Sequence, residues 1–218
     1  MKMTRIAALL IMAAALTASQ AGATIVLSYA GGTAQAMPTL NYFGPGPQTF
    51  GSPTITWSST NASTQGGSVF GYTGGYGFLA NGFWGATVGP MAGVNDSFDV
   101  YGVTDTMTFA FSTPVSSVGG FFNYVPGGST PTTLAVWNSG GGLIESYNVT
   151  FLTDGSDDSG QAIGFIDPGI AYLTMTDNYI AVAGMVTNFS TTPEPSSLLL
   201  MGSGALGLAG LLRRRLPA

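Results

Sequence analysis

Asp105-Thr106-Met107-Thr108-Phe109-Ala110-Phe111 alternates residue by residue. In an extended chain Met107, Phe109 and Phe111 fall on one face, and Thr106, Thr108 and Ala110 on the other. Successive side chains of a strand point to opposite faces, so the pattern predicts a strand with one buried and one solvated side. Strands of that kind build antiparallel sheets, because strands of parallel sheets read as unbroken apolar runs.

The same reading extends in both directions. Thr24-Ile25-Val26-Leu27-Ser28-Tyr29 and Thr54-Ile55-Thr56-Trp57-Ser58 are strand-like, and Val118 to Tyr124 is an apolar run. Leu134-Ala135-Val136-Trp137 and Leu143 to Phe151 flank Asn138-Ser139-Gly140-Gly141-Gly142, which reads as a hairpin loop. Ala162 to Ile166, Ala171 to Thr176 and Tyr179 to Phe189 complete the series, with Asp177-Asn178 as a tight turn. No helical period occurs before residue 197. The expected fold is mainly β, an antiparallel β-sandwich over residues 24–190. Residues 65–93 stand apart: Phe70, Tyr72, Tyr76, Phe78, Phe83 and Trp84 are set among glycines. Six exposed aromatics would be an aggregation hazard. The segment is therefore expected to be partly ordered, with its rings sealing one end of the sandwich.

Charge separates the chain into parts. All five basic residues, Lys2, Arg5, Arg213, Arg214 and Arg215, lie outside 24–192. That stretch has no His and nine carboxylates: Asp96, Asp99, Asp105, Glu145, Asp154, Asp157, Asp158, Asp167 and Asp177. A body without cations has nothing to set against phosphate, which excludes nucleic acid as a partner. The chain has no Cys, so disulfides, thiol nucleophiles and Cys- or His-based zinc sites are excluded, as is a Ser-His-Asp triad.

The two ends carry export signals. In residues 1–23, Lys2 and Arg5 precede an apolar run from Ile6 to Ala18, and Ala21-Gly22-Ala23 places small residues at −3 and −1. This is the pattern of a secretory signal helix, and it predicts export through the Sec machinery with cleavage after Ala23. In residues 191–218, Pro193-Glu194-Pro195 precedes an uncharged stretch, 196–212, and then Arg213-Arg214-Arg215. As a helix that stretch is about 25 Å long, slightly short of a ~30 Å hydrocarbon core, a deficit that snorkelling arginines or local thinning could cover. Three Arg after a transmembrane helix fix a cytoplasmic C-terminus, and the two prolines keep the segment before it extended.

Pro193-Glu194-Pro195, the Gly-rich apolar span and the Arg cluster together resemble a PEP-CTERM sorting signal. The resemblance implies a bacterial exported protein, anchored in the inner membrane as a precursor and processed by an exosortase near the motif. It also implies display at the cell surface or release, in association with exopolysaccharide and biofilm. Leu216-Pro217-Ala218 follows the arginines, where many members stop. Within the body, Ser112-Thr113-Pro114-Val115-Ser116-Ser117-Val118-Gly119 and Asp177-Asn178-Tyr179-Ile180-Ala181 are similar to phrases in exported PEP-CTERM proteins. Their bodies look like jelly-roll or carbohydrate-binding-module sandwiches, a likeness that implies no activity.

Three site readings follow from the residues. Asp154-Gly155-Ser156-Asp157-Asp158-Ser159-Gly160 gathers three carboxylates in one loop, chemistry suited to Ca²⁺, although no Glu follows at EF-hand spacing. Trp57, Trp84, Trp137 and the tyrosines could stack on sugar rings, or they could fill the core. Glycoside hydrolysis needs two facing carboxylates, and no pair stands out around Glu145. The expectation is a non-catalytic surface or matrix protein. A lectin-like module, with or without Ca²⁺, is the first alternative, and a secreted hydrolase the second.

Overall fold

The structure is a computed structural model, which describes residues 24–96, 104–128 and 131–190. Segment 1–23 (with Ala21 and Ala23) and tail 191–218 (with Pro193, Glu194, Pro195, span 196–212 and Arg213 to Arg215) lie outside them, as do the two expected terminal helices. No helix among the described residues is long and apolar enough to cross a membrane.

The described chain is mainly β and antiparallel. Fourteen strands follow in order: β1 (Thr24–Val26), β2 (Thr33–Ala34), β3 (Tyr42–Phe43), β4 (Gln48–Phe50), β5 (Ile55–Ser59), β6 (Ser68–Tyr72), β7 (Tyr76–Gly77), β8 (Phe83–Trp84), β9 (Met91–Asn95), β10 (Asp105–Tyr124), β11 (Thr133–Trp137), β12 (Leu143–Asn148), β13 (Gln161–Asp177) and β14 (Tyr179–Thr187). A 3₁₀ turn, Leu79–Asn81, lies between β7 and β8.

Two long strands organise the rest. The first half of β10 pairs with β5 on one side and with the end of β13 on the other. Its second half pairs with the start of β13 and with β14. One leaf therefore runs β12-β11-β13-β10-β5-β4, and the other β1-β13-β10-β14-β9-β6-β3. The β10–β13 ladder breaks register between Ala110 and Val115 and again before Ser117. Pro114 and Pro168 fall at this corner, where strands pass from one leaf to the other through bulges. The four strands expected at 105–111, 118–124, 162–166 and 171–176 are thus two. Proline without an N–H reads as a strand break, and it is accommodated here because the corner has already interrupted the ladder.

The alternation at 105–111 is realised as read: Met107 and Phe109 are fully buried, while Thr106, Thr108 and Ala110 are half-buried on the outer face. The inner faces of both leaves feed one core. Trp57 of β5 lies 5.1 Å from Phe70 of β6, joining leaf to leaf. The outer face of the first leaf carries hydroxyl groups beside Trp137 and Leu143; Thr106 and Thr176 hydroxyls meet across strands at 2.9 Å. The hairpin loop at 138–142 forms as expected, with Asn138 Oδ1 accepting from the Gly140 and Gly142 N–H groups. Its second strand ends at Asn148 rather than Phe151.

The outer face of the second leaf is covered by the segment between β6 and β9. Tyr76, Phe78 and Trp84 form a second cluster with Ala181 and Ala183 of β14, and Trp84 stacks on Phe121 at 5.5 Å. Most of these rings therefore roof a sheet face instead of sealing an end of the sandwich; Phe70 enters the main core, and Phe83 stays 43% exposed. Asn81, fully buried, ties the roof down: its Nδ2 donates to Tyr124 O, its Oδ1 accepts from Thr153 N–H, and its own carbonyl accepts from Asn123 Nδ2.

Further along the same leaf, Gly119 and Gly164 stand opposite one another on β10 and β13. A Cβ at Gly119 would lie 2.8 Å from the Tyr29 ring, and one at Gly164 2.6 Å from the Phe189 ring. Tyr29 and Phe189 stack on each other there at 4.2 Å. A bridge between Ala30 and Ser190 closes beside them.

Candidate functional site

The turn Asp177-Asn178, expected from the sequence, joins β13 to β14 and brings four segments together. Tyr179 pairs with Asn95 at the end of β9, and Asp96 N–H donates to Asn178 O at 2.9 Å. Beside this turn lies a cleft of about 520 Å³ lined by Phe43, Gln65, Tyr72, Tyr76, Asn95 and Tyr179, among others. Its walls are rings in contact: Tyr76 and Tyr179 are 4.9 Å apart, and Phe43 meets Tyr72 edge-on at 5.5 Å.

Local backbone explains how the rings reach the cleft. β6 pairs with β9 through a bulge between Phe70 and Tyr72, where Gly71 takes φ +62°. The bulge turns Tyr72 outward next to Phe70, which faces the main core. Tyr72 lies over Gly74, and Tyr76 over Gly93, with contacts that a Cβ would obstruct. The Tyr76 hydroxyl donates to Val94 O at 2.6 Å. Burial holds the Tyr76 phenol well above its usual range. Burial also pushes Tyr179 up to about 12, with Asp96 and Tyr72 adding to the rise and hydrogen bonds from Asn95 and the Gly77 backbone opposing it. Both phenols are therefore neutral donors at ordinary pH.

A second cleft of about 360 Å³ shares Tyr179 and is lined also by Leu79, Asp96, Val125, Asp177 and Asn178. Asp177 is 2% exposed. Its Oδ2 accepts from Thr132 Oγ1 at 2.5 Å and its Oδ1 from Asn178 N–H at 2.6 Å. Burial lifts it to about 6 against those hydrogen bonds, and Asp96 adds to the rise. Asp105 stands directly across the ladder from Asp177 and accepts from Thr60 Oγ1 and Asn61 Nδ2. This pole carries negative charge and hydroxyl and amide groups. The described residues contain no group of three or more acidic side chains placed to hold a metal ion.

The residues singled out from sequence lie elsewhere. Trp57 and Trp84 are fully buried; Trp57 fills the main core, and Trp84 donates from Nε1 to Ser159 O at 2.6 Å. Neither presents a face to a sugar. Trp137 is half-buried on the outer face of the first leaf, with Nε1 donating to Thr174 Oγ1 at 2.9 Å. The three do not form a row. The acidic loop is likewise taken apart by other duties. Asp154 is exposed and folds back on Ser156, whose N–H and hydroxyl hold its carboxyl below the usual range. Asp157 bridges to Phe83 through its backbone. Asp158 accepts from Gly85 N–H and the Thr87 hydroxyl. The loop is a strap for the aromatic roof, and Asp154, Asp157 and Asp158 do not converge on a cation. Glu145 lies on strand β12, remote in sequence and pairing from the acidic pole. The sequence reading reaches Tyr72, Tyr76 and Tyr179 only as aromatics in general, and does not reach Phe43, Gln65 or Asn95, because the cleft draws on four separate stretches of chain. The usable signal was weak: tyrosines flanked by glycine, and a tyrosine directly after the Asp-Asn turn.

The architecture defines the described part of this chain as a mainly antiparallel β-protein with an aromatic cleft at one pole. The model of the PEP-CTERM protein-sorting motif matches residues 191–215: the chain carries that sorting motif immediately after the body. No curated protein matches the chain. Among solved structures, the lectin domain of lectinolysin complexed with Lewis B antigen is similar over 71% of this chain and 99% of that one, at 12% identity and a TM-score of 0.38. A histidine mutant of the lectin-binding domain of lectinolysin, complexed with Lewis b, is similar over 72% and 100%, at 13% identity and a TM-score of 0.37. At such scores the likeness carries no argument about a ligand of this chain.

Proposed function

We propose that the chain is the precursor of a non-catalytic surface or extracellular-matrix protein. Segment 1–23 directs it into the Sec machinery and is cleaved after Ala23. The span 196–212, held by Arg213, Arg214 and Arg215, keeps the precursor in the inner membrane until an exosortase processes it near Pro193-Glu194-Pro195. The two leaves form a β-sandwich of the jelly-roll kind, which is the exported cargo, associated with exopolysaccharide. The match to the sorting motif at 191–215 carries this reading. The cation-free composition of 24–192 accords with it, since such a body has no attraction for the anionic surface of the membrane it leaves.

Intact mass of the protein from a host that makes it, measured in membrane and extracellular fractions, tests the proposal. Loss of residues 1–23 together with a new C-terminus near Pro193 is the expected result. A chain ending at Ala218 and confined to membranes would make the tail a permanent anchor and defeat the sorting step. One observation favours the hydrolase alternative: Asp96 and Asp177 line the same cleft. Release of reducing ends from polysaccharide by the purified chain, abolished by Asp177→Asn, would establish it in place of the non-catalytic reading.

A further inference from the structure

We infer that the cleft between Phe43, Tyr72 and Tyr179 is a binding site for a neutral glycan. The inference concerns the body alone and does not rest on the sorting reading.

The chemistry of the walls selects the ligand. A pyranose has an apolar face and a rim of hydroxyl groups, so it needs a ring to lie on and neutral donors and acceptors at the edge. Phe43, 40% exposed, and the half-buried Tyr72 supply rings at the mouth. They meet edge-on, so a ring laid on one of them meets the edge of the other. Gln65 is exposed at the rim, and neither its amide nor the Tyr72 hydroxyl hydrogen-bonds a described side chain, whereas Tyr76 is committed to Val94 O and Tyr179 to Asn95 and Gly77. The inner rings are thereby fixed and the outer polar groups remain available, which is preorganised framing around an adaptable rim.

Charge narrows the class. Asp96 and Asp177 lie behind Tyr179, and no cation occurs anywhere in 24–192. Uronic acids, sulfated sugars and phosphates would approach negative potential with no counter-charge. A purely apolar ligand would leave Gln65 and the Tyr72 hydroxyl without partners. The cleft volume, about 520 Å³, is within the usual small-molecule range and takes a short glycan segment.

Isothermal titration of the full chain, in a detergent without a sugar headgroup, tests this with maltohexaose, cellohexaose, laminarihexaose and hexagalacturonate. Saturable binding of at least one neutral hexasaccharide is expected, with hexagalacturonate weaker. Tyr72→Ala should weaken it by about tenfold, and Gln65→Ala by about threefold. Both sites are at the surface, and far-ultraviolet circular dichroism and melting temperature identify any variant that fails to fold. Phe43→Ala, also at the surface, is the second probe in that event and should weaken binding similarly. Absence of binding by all three neutral sugars, preference for hexagalacturonate, or binding unaffected by these variants would each overturn the assignment.

Discussion

Single residues in this protein are constrained chiefly by space and by missing counter-charge. Gly71 takes φ +62°, and a Cβ there would lie 2.2 Å from Pro38 O. Gly71→Ala combines left-handed strain with a backbone clash, so a loss of at least about 2 kcal/mol is expected in urea denaturation. Asp177 answers to pH. Its folded value, about 6, exceeds the ordinary 3.8, so between those values the folded chain holds more proton than the unfolded one. Its contribution to stability is complete below about 4 and is lost as pH rises through about 6, a change on the order of 3 kcal/mol. Denaturation at pH 4.5 and 7.5 should show this decline. In Asp177→Asn the decline should be smaller, because the amide keeps its place between Thr132 and Asn178 and faces Asp96 and Asp105 without charge. An equal decline in both proteins would remove Asp177 as its source.

At the scale of elements, the ends of the body depend on a pair of rings resting on a pair of glycines. Tyr29 and Phe189 fill the hollow over Gly119 and Gly164, and Phe189 is buried. Phe189→Ala should cost about 3 kcal/mol. Hydrogen exchange should then quicken first in residues 24–34, whose strands pair at this edge, while β10 and β13 remain protected. A uniform rise across the molecule would mean that the edge and the centre open together. This scale also shows where sequence reading succeeds and where it stops. Met107, Phe109 and Phe111 announce their strand because alternation is local. Asn138 to Gly142 and Asp177-Asn178 announce their turns because turn chemistry is local too. The continuity of β10 through Pro114 is not local: it exists because β13 bends beside it. Strands β7 and β8 have two residues each, too few to show any period, so the aromatic roof looks like loop. Trp57, Trp84 and Trp137 share a residue type but not an environment, and Asp154, Asp157 and Asp158 share a loop but not a direction. Sequence reports neither.

At the scale of the whole molecule, the described residues are held together without ion pairs, since they contain carboxylates but no Lys, Arg or His. Added salt therefore has no attraction to weaken, and it screens repulsion among the carboxylates. Melting temperature should rise by about a few degrees between 10 and 500 mM NaCl, measured by circular dichroism; a fall would indicate favourable charge contacts that this composition does not supply.

Strand β14 gives the molecule a direction. It starts at Tyr179, in the wall of the cleft, and runs to Thr187, three residues before Ser190 bridges to Ala30. Nine residues of strand span about 30 Å. The chain leaves the body at one pole and opens its cleft at the other. An attachment made beyond Ser190 would therefore hold the body at the pole opposite the aromatic mouth, which would face away from the point of attachment. Release from such an attachment would change how far the mouth can travel without altering its walls.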